Sequence, residues 1–150
     1  MSQPDGSTVR ALAVGDELPP LVKELTLERL IAYGGPAKNL HSDLEAARAE
    51  GFPSVVAWGM LSVAFVSELL GARFGLGWAR GGRLSVSLVK PVFAGNTVAV
   101  RARVTSAEAA DAGWRYGFDV WCETETGEKV LVGEASALAA DAADREPEPQ

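Results

Sequence analysis

The chain has 150 residues, 47% hydrophobic and 23% charged, the proportions of one folded domain rather than a disordered chain. A formal charge of −6 argues against general nucleic-acid binding, and no apolar run reaches the ~18 residues of a membrane span. One cysteine, Cys122, and one histidine, His41, exclude an intrachain disulfide framework and a zinc site of several Cys and His ligands, so neither metal nor cofactor is expected. The start MSQPDGSTVR lacks a basic region followed by an apolar one, and the expectation is a soluble, cytoplasmic protein.

In chain order, residues 1–11 and 140–150 have the polar, Pro-containing composition of disordered ends, which leaves one domain over 12–139. Residues 21–26 read as a short edge strand. Thr26 then caps a helix through Leu27, Leu30, Ile31 and Tyr33, with Glu28 in its first turn, and Gly34-Gly35-Pro36 stops it. Ser42-Asp43-Leu44-Glu45 reads as a capping box with Ser42 at the N-cap, and Gly51 closes the helix it starts. From Val55 to Gly71 apolar residues fall on nearly every face, so the spacing predicts a helix buried most of the way round. Val55–Ala57 also reads as a short β run ahead of it.

The remainder alternates. Leu84, Val86 and Leu88 form one strand face; Val98, Val100, Ala102 and Val104 a second; Trp114, Tyr116, Phe118, Val120 and Cys122 a third; and Val130–Leu138 a fourth strand. Ala94-Gly95-Asn96-Thr97 and Thr126-Gly127 supply turns. Four antiparallel strands and one apolar helix predict an α+β hotdog domain, a curved antiparallel sheet wrapped around a long buried central helix. Its exposed sheet edges point to a homodimer or higher homo-oligomer with pockets at the subunit interface. Charge is uneven along the chain. No acid lies between Glu68 and Glu108, a stretch that carries Arg73, Arg80, Arg83, Lys90, Arg101 and Arg103, either solvated ends or a receptor for a phosphorylated ligand.

Three segments carry a family resemblance. Gly51-Phe52-Pro53-Ser54-Val55-Val56-Ala57-Trp58-Gly59-Met60-Leu61 resembles the GF-x-x-x-V-A-H-G-M-L signature of MaoC-like hotdog proteins, the R-specific enoyl-CoA hydratases and 3-hydroxyacyl-thioester dehydratases. Asn39-Leu40-His41-Ser42-Asp43 resembles the end of that family's G-D-x-N-P-I-H-x-D motif. Lys90-Pro91-Val92-Phe93-Ala94-Gly95-Asn96-Thr97 is similar to its P-V-F-x-G-D-T hairpin. The resemblance implies addition of water to, or its removal from, the double bond of an acyl thioester, carried by coenzyme A or a carrier protein. By position it implies His41 as general acid/base and the Gly59 amide as the donor to the thioester oxygen.

The sequence departs from that pattern at the chemistry. Aligned on His41, the family's catalytic Asp falls on Pro36 and its Asn on Lys38; aligned on Tyr33-Gly34-Gly35, the Gly-Asp pair is deleted. The central His of V-A-H-G-M is Trp58, whose N–H only donates and which is expected to wall the pocket. Asn39 is a candidate to orient water or thioester, or a turn residue. Tyr33, Lys38, Asp43 and Ser62 are candidates to line or charge the substrate site; their structural alternatives are core packing, a solvated cation, a helix cap and a helix-backbone hydrogen bond. Expected is a lyase of the hydratase/dehydratase type with a non-standard site. The alternatives are a repurposed hotdog enzyme for another enolate step, a cyclisation or isomerisation, or a non-catalytic acyl-binding partner subunit.

Overall fold

In the computed structural model, which describes residues 11–140, the alternating segments become one antiparallel sheet. It contains β1 (Leu21–Glu24), β2 (Arg83–Leu88), β3 (Thr97–Ala110), β4 (Gly113–Thr124) and β5 (Lys129–Ala140), in the order β1-β3-β4-β5-β2. There are thus five strands, the fifth being the short edge strand expected near residue 21. Four helices accompany them: α1 (Leu27–Gly34), α2 (Leu44–Ala49), α3 (Gly59–Phe74) and α4 (Leu76–Gly81). The disordered ends expected at 1–11 and 140–150 fall almost wholly outside the described residues. Among the described residues no helix is long and apolar enough to cross a membrane.

The curved sheet holds α3 against its inner face, as a hotdog requires. Val100, Ala102 and Val104 on β3 lie opposite Cys122, Val120 and Phe118 on β4, and these six, with Val98 and Tyr116, are all buried. From α3 come Leu61, Val66, Leu69 and Leu70, the second and fourth with no exposed surface. Burying each such large side chain stabilises the fold by roughly 1.5–3 kcal/mol, so the helix adds a substantial share to a core that the sheet strands mostly build.

Three sequence expectations change in detail. The long helix begins at Gly59, because Val55–Ala57 is drawn into β-type contacts: Val56 bridges Phe93, and the Ala57 amide donates to Val92 O at 2.7 Å. The helix, expected to be buried most of the way round, leaves one outward stripe of Met60, Ala64 and Glu68, four residues apart. Trp114 shares the inward parity of β4 but lies at its start, beyond the core, and is 42% exposed. A register shift between Val104 and Ser106 bends β3 just past that core.

The short helix α4 is not legible from residue pattern, for it has no buried residue and four glycines in or beside it. Two of them, Gly77 and Gly81, let it lie on β5: a Cβ on Gly77 would stand 1.8 Å from Leu138 O.

Candidate active site

The site is assembled by main-chain bonds around Val56. Leu40 O accepts from the Val56 amide at 3.0 Å, and Val55 O accepts from the Ala94 amide at 2.9 Å. With the Ala57–Val92 bond, these fasten the loop carrying His41 and the connection between β2 and β3 to opposite edges of one extended strip. That strip then runs directly into α3.

His41 itself is fixed at two places. Its backbone N–H donates to Asn39 Oδ1 at 2.9 Å, and its ring Nδ1 lies 2.8 Å from Val56 O. A carbonyl oxygen only accepts, so Nδ1 carries a proton and Nε2 is the nitrogen left for other work. The Trp58 indole stacks on the imidazole, with centroids 3.7 Å apart and planes inclined by 24°.

Beside it the amides of α3 begin. Trp58 is the N-cap residue and offers no side-chain cap bond. In this first turn the Leu61 amide donates to Trp58 O at 3.0 Å, and the Gly59 and Met60 amides lie at the positive end of the helix dipole. Gly59 packs closely on the end of β2: a Cβ there would lie 2.4 Å from Leu88 Cδ1, the tip of an exposed side chain that would have to turn aside.

These groups line an open cleft of about 440 Å³, with His41, Trp58, Gly59 and Ser62 on one side and Leu88, Val89 and Lys90 on another. Phe52, Val56, Val92 and Val130 make its surface mainly apolar. Lys90 and His41 are the only lining side chains that can be cationic, and no carboxylate is among them. Lys90 Nζ is 3.2 Å from Glu128. The arrangement offers one proton-accepting imidazole nitrogen, uncapped amides and an apolar wall. Among the described residues no three of His, Cys, Asp and Glu lie together in a way that could hold a metal ion.

Of the residues singled out from sequence, the cleft gathers His41, Gly59, Trp58 and Ser62, the last buried in α3. Asn39, Tyr33, Lys38 and Asp43 are not among its lining. Asn39 lies beneath His41, its side chain engaged with the loop. Tyr33 is 46% exposed on α1. Asp43, rather than Ser42, caps α2, accepting from the Ala46 amide at 2.9 Å, and lies 4.0 Å from Lys38 Nζ. The expected N-cap Ser42 instead ties the loop, accepting from the Asn39 amide and donating to Ala37 O at 2.6 Å. Leu88, Val89 and Phe52 were not anticipated, as only tertiary folding brings them to His41.

The basic stretch does not gather at the cleft. Arg101 pairs with Glu123, Arg103 lies over the Trp121 ring and 4.0 Å from Glu17, and of the stretch only Lys90 lines the site.

Residues 30–115 match the MaoC like domain. No curated protein matches the chain. Among solved structures it is similar to an (R)-hydratase from A. caviae involved in PHA biosynthesis, with 26% identity, a TM-score of 0.70, and 87% of this chain and 99% of the other covered. A MaoC-like dehydratase from Rhodospirillum rubrum shares the fold at 23% identity and TM-score 0.72, covering 91% and 98%. So does a chain of the ChsH1-ChsH2 complex from Mycobacterium tuberculosis, at 16% identity and TM-score 0.69, covering 86% and 99%. With more than half its length matched to the family, the chain belongs to the MaoC-like domain family, whose hydratases and dehydratases share its hotdog fold.

Proposed function

We propose that the protein is a hydratase/dehydratase acting on 2-enoyl and 3-hydroxyacyl thioesters, and that it works through His41 without the family's usual aspartate. The observation that carries this is the anchoring of Nδ1 to Val56 O, which leaves Nε2 free in a cleft that also holds the start of α3. In the hydration direction Nε2 takes a proton from water as the water oxygen bonds to C3. The double-bond electrons move toward the thioester carbonyl, whose developing enolate is met by the Gly59 N–H and the helix dipole. The proton then passes to C2, and dehydration is the reverse. A positioned general base contributes ~10²–10⁴-fold and one oxyanion donor ~10²–10³-fold, enough for useful catalysis from this pair. The substrate is a thioester of coenzyme A or a carrier protein, and no cofactor takes part.

The same reading includes a cytoplasmic homodimer. Strand β2 leaves one edge of the sheet unpaired, and Met60, Leu88 and Val89 beside it are 62%, 53% and 49% exposed. Pairing β2 with its copy covers these side chains and encloses the cleft.

One observation favours a second reading: the absence of a carboxylate from the lining. It supports a repurposed enolate-stabilising enzyme, or an acyl-binding subunit that completes a partner's site. The test is loss of enoyl absorbance when the protein meets crotonyl-CoA and longer enoyl thioesters, beside His41→Ala. Turnover that collapses in the variant supports the hydratase; turnover untouched by it refutes the role of His41. Binding without turnover transfers support to the second reading.

A further inference from the structure

We propose that Trp58 is a positioning residue for His41, and that Gly34 is the seat that allows it; the catalytic consequence rests on the hydratase reading above. A single hydrogen bond from Nδ1 to Val56 O fixes one ring atom and leaves the imidazole free to swing about it. The indole, 3.7 Å away and nearly parallel, closes one face and fixes the ring plane. A flat partner is needed for that, and the two other Trp58 contacts explain why the indole stays in place.

Its backbone is held as the N-cap of α3. Its pyrrole edge rests on Gly34, the last residue of α1, where an added Cβ would stand 2.1 Å from Nε1 and 2.7 Å from Cδ1. Glycine at position 34 has no backbone reason. The positive φ that ends α1 belongs to Gly35, at 88°, and alanine is the better helix former. What position 34 needs is the missing side chain. With the imidazole on one face and a bare Cα at its pyrrole edge, the indole is held on two sides. The stack Gly34–Trp58–His41 thus connects the end of α1 to the orientation of Nε2.

The test compares Gly34→Ala, Trp58→Leu and Trp58→Phe in the full chain. His41 is the only histidine, so every imidazole signal in a ¹H–¹⁵N long-range spectrum is its own. In the parent chain the ring protons are displaced upfield by the indole, and the nitrogens report one tautomer with the proton on Nδ1. Trp58→Leu and Gly34→Ala are expected to lose that displacement and mix the tautomers. The kcat for enoyl-thioester hydration falls in both by roughly 10- to 100-fold, with KM changed less. Trp58→Phe keeps an aromatic face, a smaller displacement and most of the kcat. Parent-like spectra in both Trp58→Leu and Gly34→Ala overturn the proposal. Should those two fail to fold, Trp58→Phe decides alone, an unchanged displacement refuting the stack. A parent chain without hydratase activity whose variants still change their spectra refutes the function and leaves the positioning intact.

Discussion

The same substitution at two helical glycines is predicted to change stability in opposite directions. Gly71 lies in α3 and Gly77 in α4, and neither has a positive φ. Alanine in a helix interior is favoured over glycine by up to about 1 kcal/mol, which sets the gain available at both. At position 71 the new Cβ meets nothing nearer than Trp78 Cδ1 at 3.6 Å, an ordinary contact, so the gain is kept. At position 77 it meets Leu138 O at 1.8 Å and Leu138 C at 2.8 Å, and both are main-chain atoms of β5. No rotamer relieves that clash, so α4 must lift until the contact reaches the ordinary range. Overpacking of this kind costs about 1–3 kcal/mol, more than a six-residue helix recovers from propensity. Gly71→Ala is expected to stabilise by about 0.5–1 kcal/mol and Gly77→Ala to destabilise by about 1–2 kcal/mol. At roughly 2–4 °C per kcal/mol for a chain this size, the two melting temperatures separate by several degrees, in thermal melts checked against urea midpoints. A Gly77→Ala chain as stable as the parent would falsify the packing argument, because it would mean that α4 does not rest on Leu138.

Three further outcomes are expected. His41→Ala lowers kcat/KM for enoyl-thioester hydration by ~10²–10⁴-fold while leaving the melting temperature within a few degrees, read from enoyl absorbance and circular dichroism. Asp43→Ala costs about 1 kcal/mol through the lost α2 cap, and Asp43→Asn much less; if Asp43 instead handles substrate, kcat/KM falls in both while stability does not. Burial pushes the Cys122 thiol from 9.0 up to about 12, so the folded chain keeps a proton that the unfolded chain releases. The resulting stability is whole below pH 9 and is lost as pH rises toward 12, at about 1.4 kcal/mol per pH unit. Urea midpoints should therefore show the parent losing ground to Cys122→Ala across that range, and parallel curves would refute the assignment.

The sheet was legible because its physics is local. Period-two alternation in Val98–Val104 and Tyr116–Cys122 becomes two buried faces, and Thr26 caps α1 through a bond to the Arg29 amide, as its position predicts. The errors occur where a distant partner decides. Val55–Ala57 reads either as a β run or as the first turn of a helix, and Val92 O and Ala94 N decide for the β run by claiming its backbone. Met60, Ala64 and Glu68 differ in polarity, so no pattern marks them as one outward face. Ser42 and Asp43 are both good caps, and the choice between them is made by Ala37 O and the Asn39 amide, which engage the Ser42 hydroxyl.

The site divides along the same line, between what the main chain builds and what side chains add. Leu40 O, Val56 N, Val56 O, Ala57 N and Val92 O are backbone atoms, and backbone bonding of this kind does not depend on which side chains stand at positions 36 or 58. The motif pieces around them were therefore recognisable, and the cleft forms with the Trp58 indole and no carboxylate in its lining. Side chains set the remainder: the Trp58 ring lies against a glycine 24 residues earlier and a histidine 17 residues earlier, contacts that no sequence window contains. A pocket framed by the main chain tolerates exchange of its reactive groups. That is the physical route by which a hotdog domain can carry an indole at position 58 and still hold one oriented imidazole in its cleft.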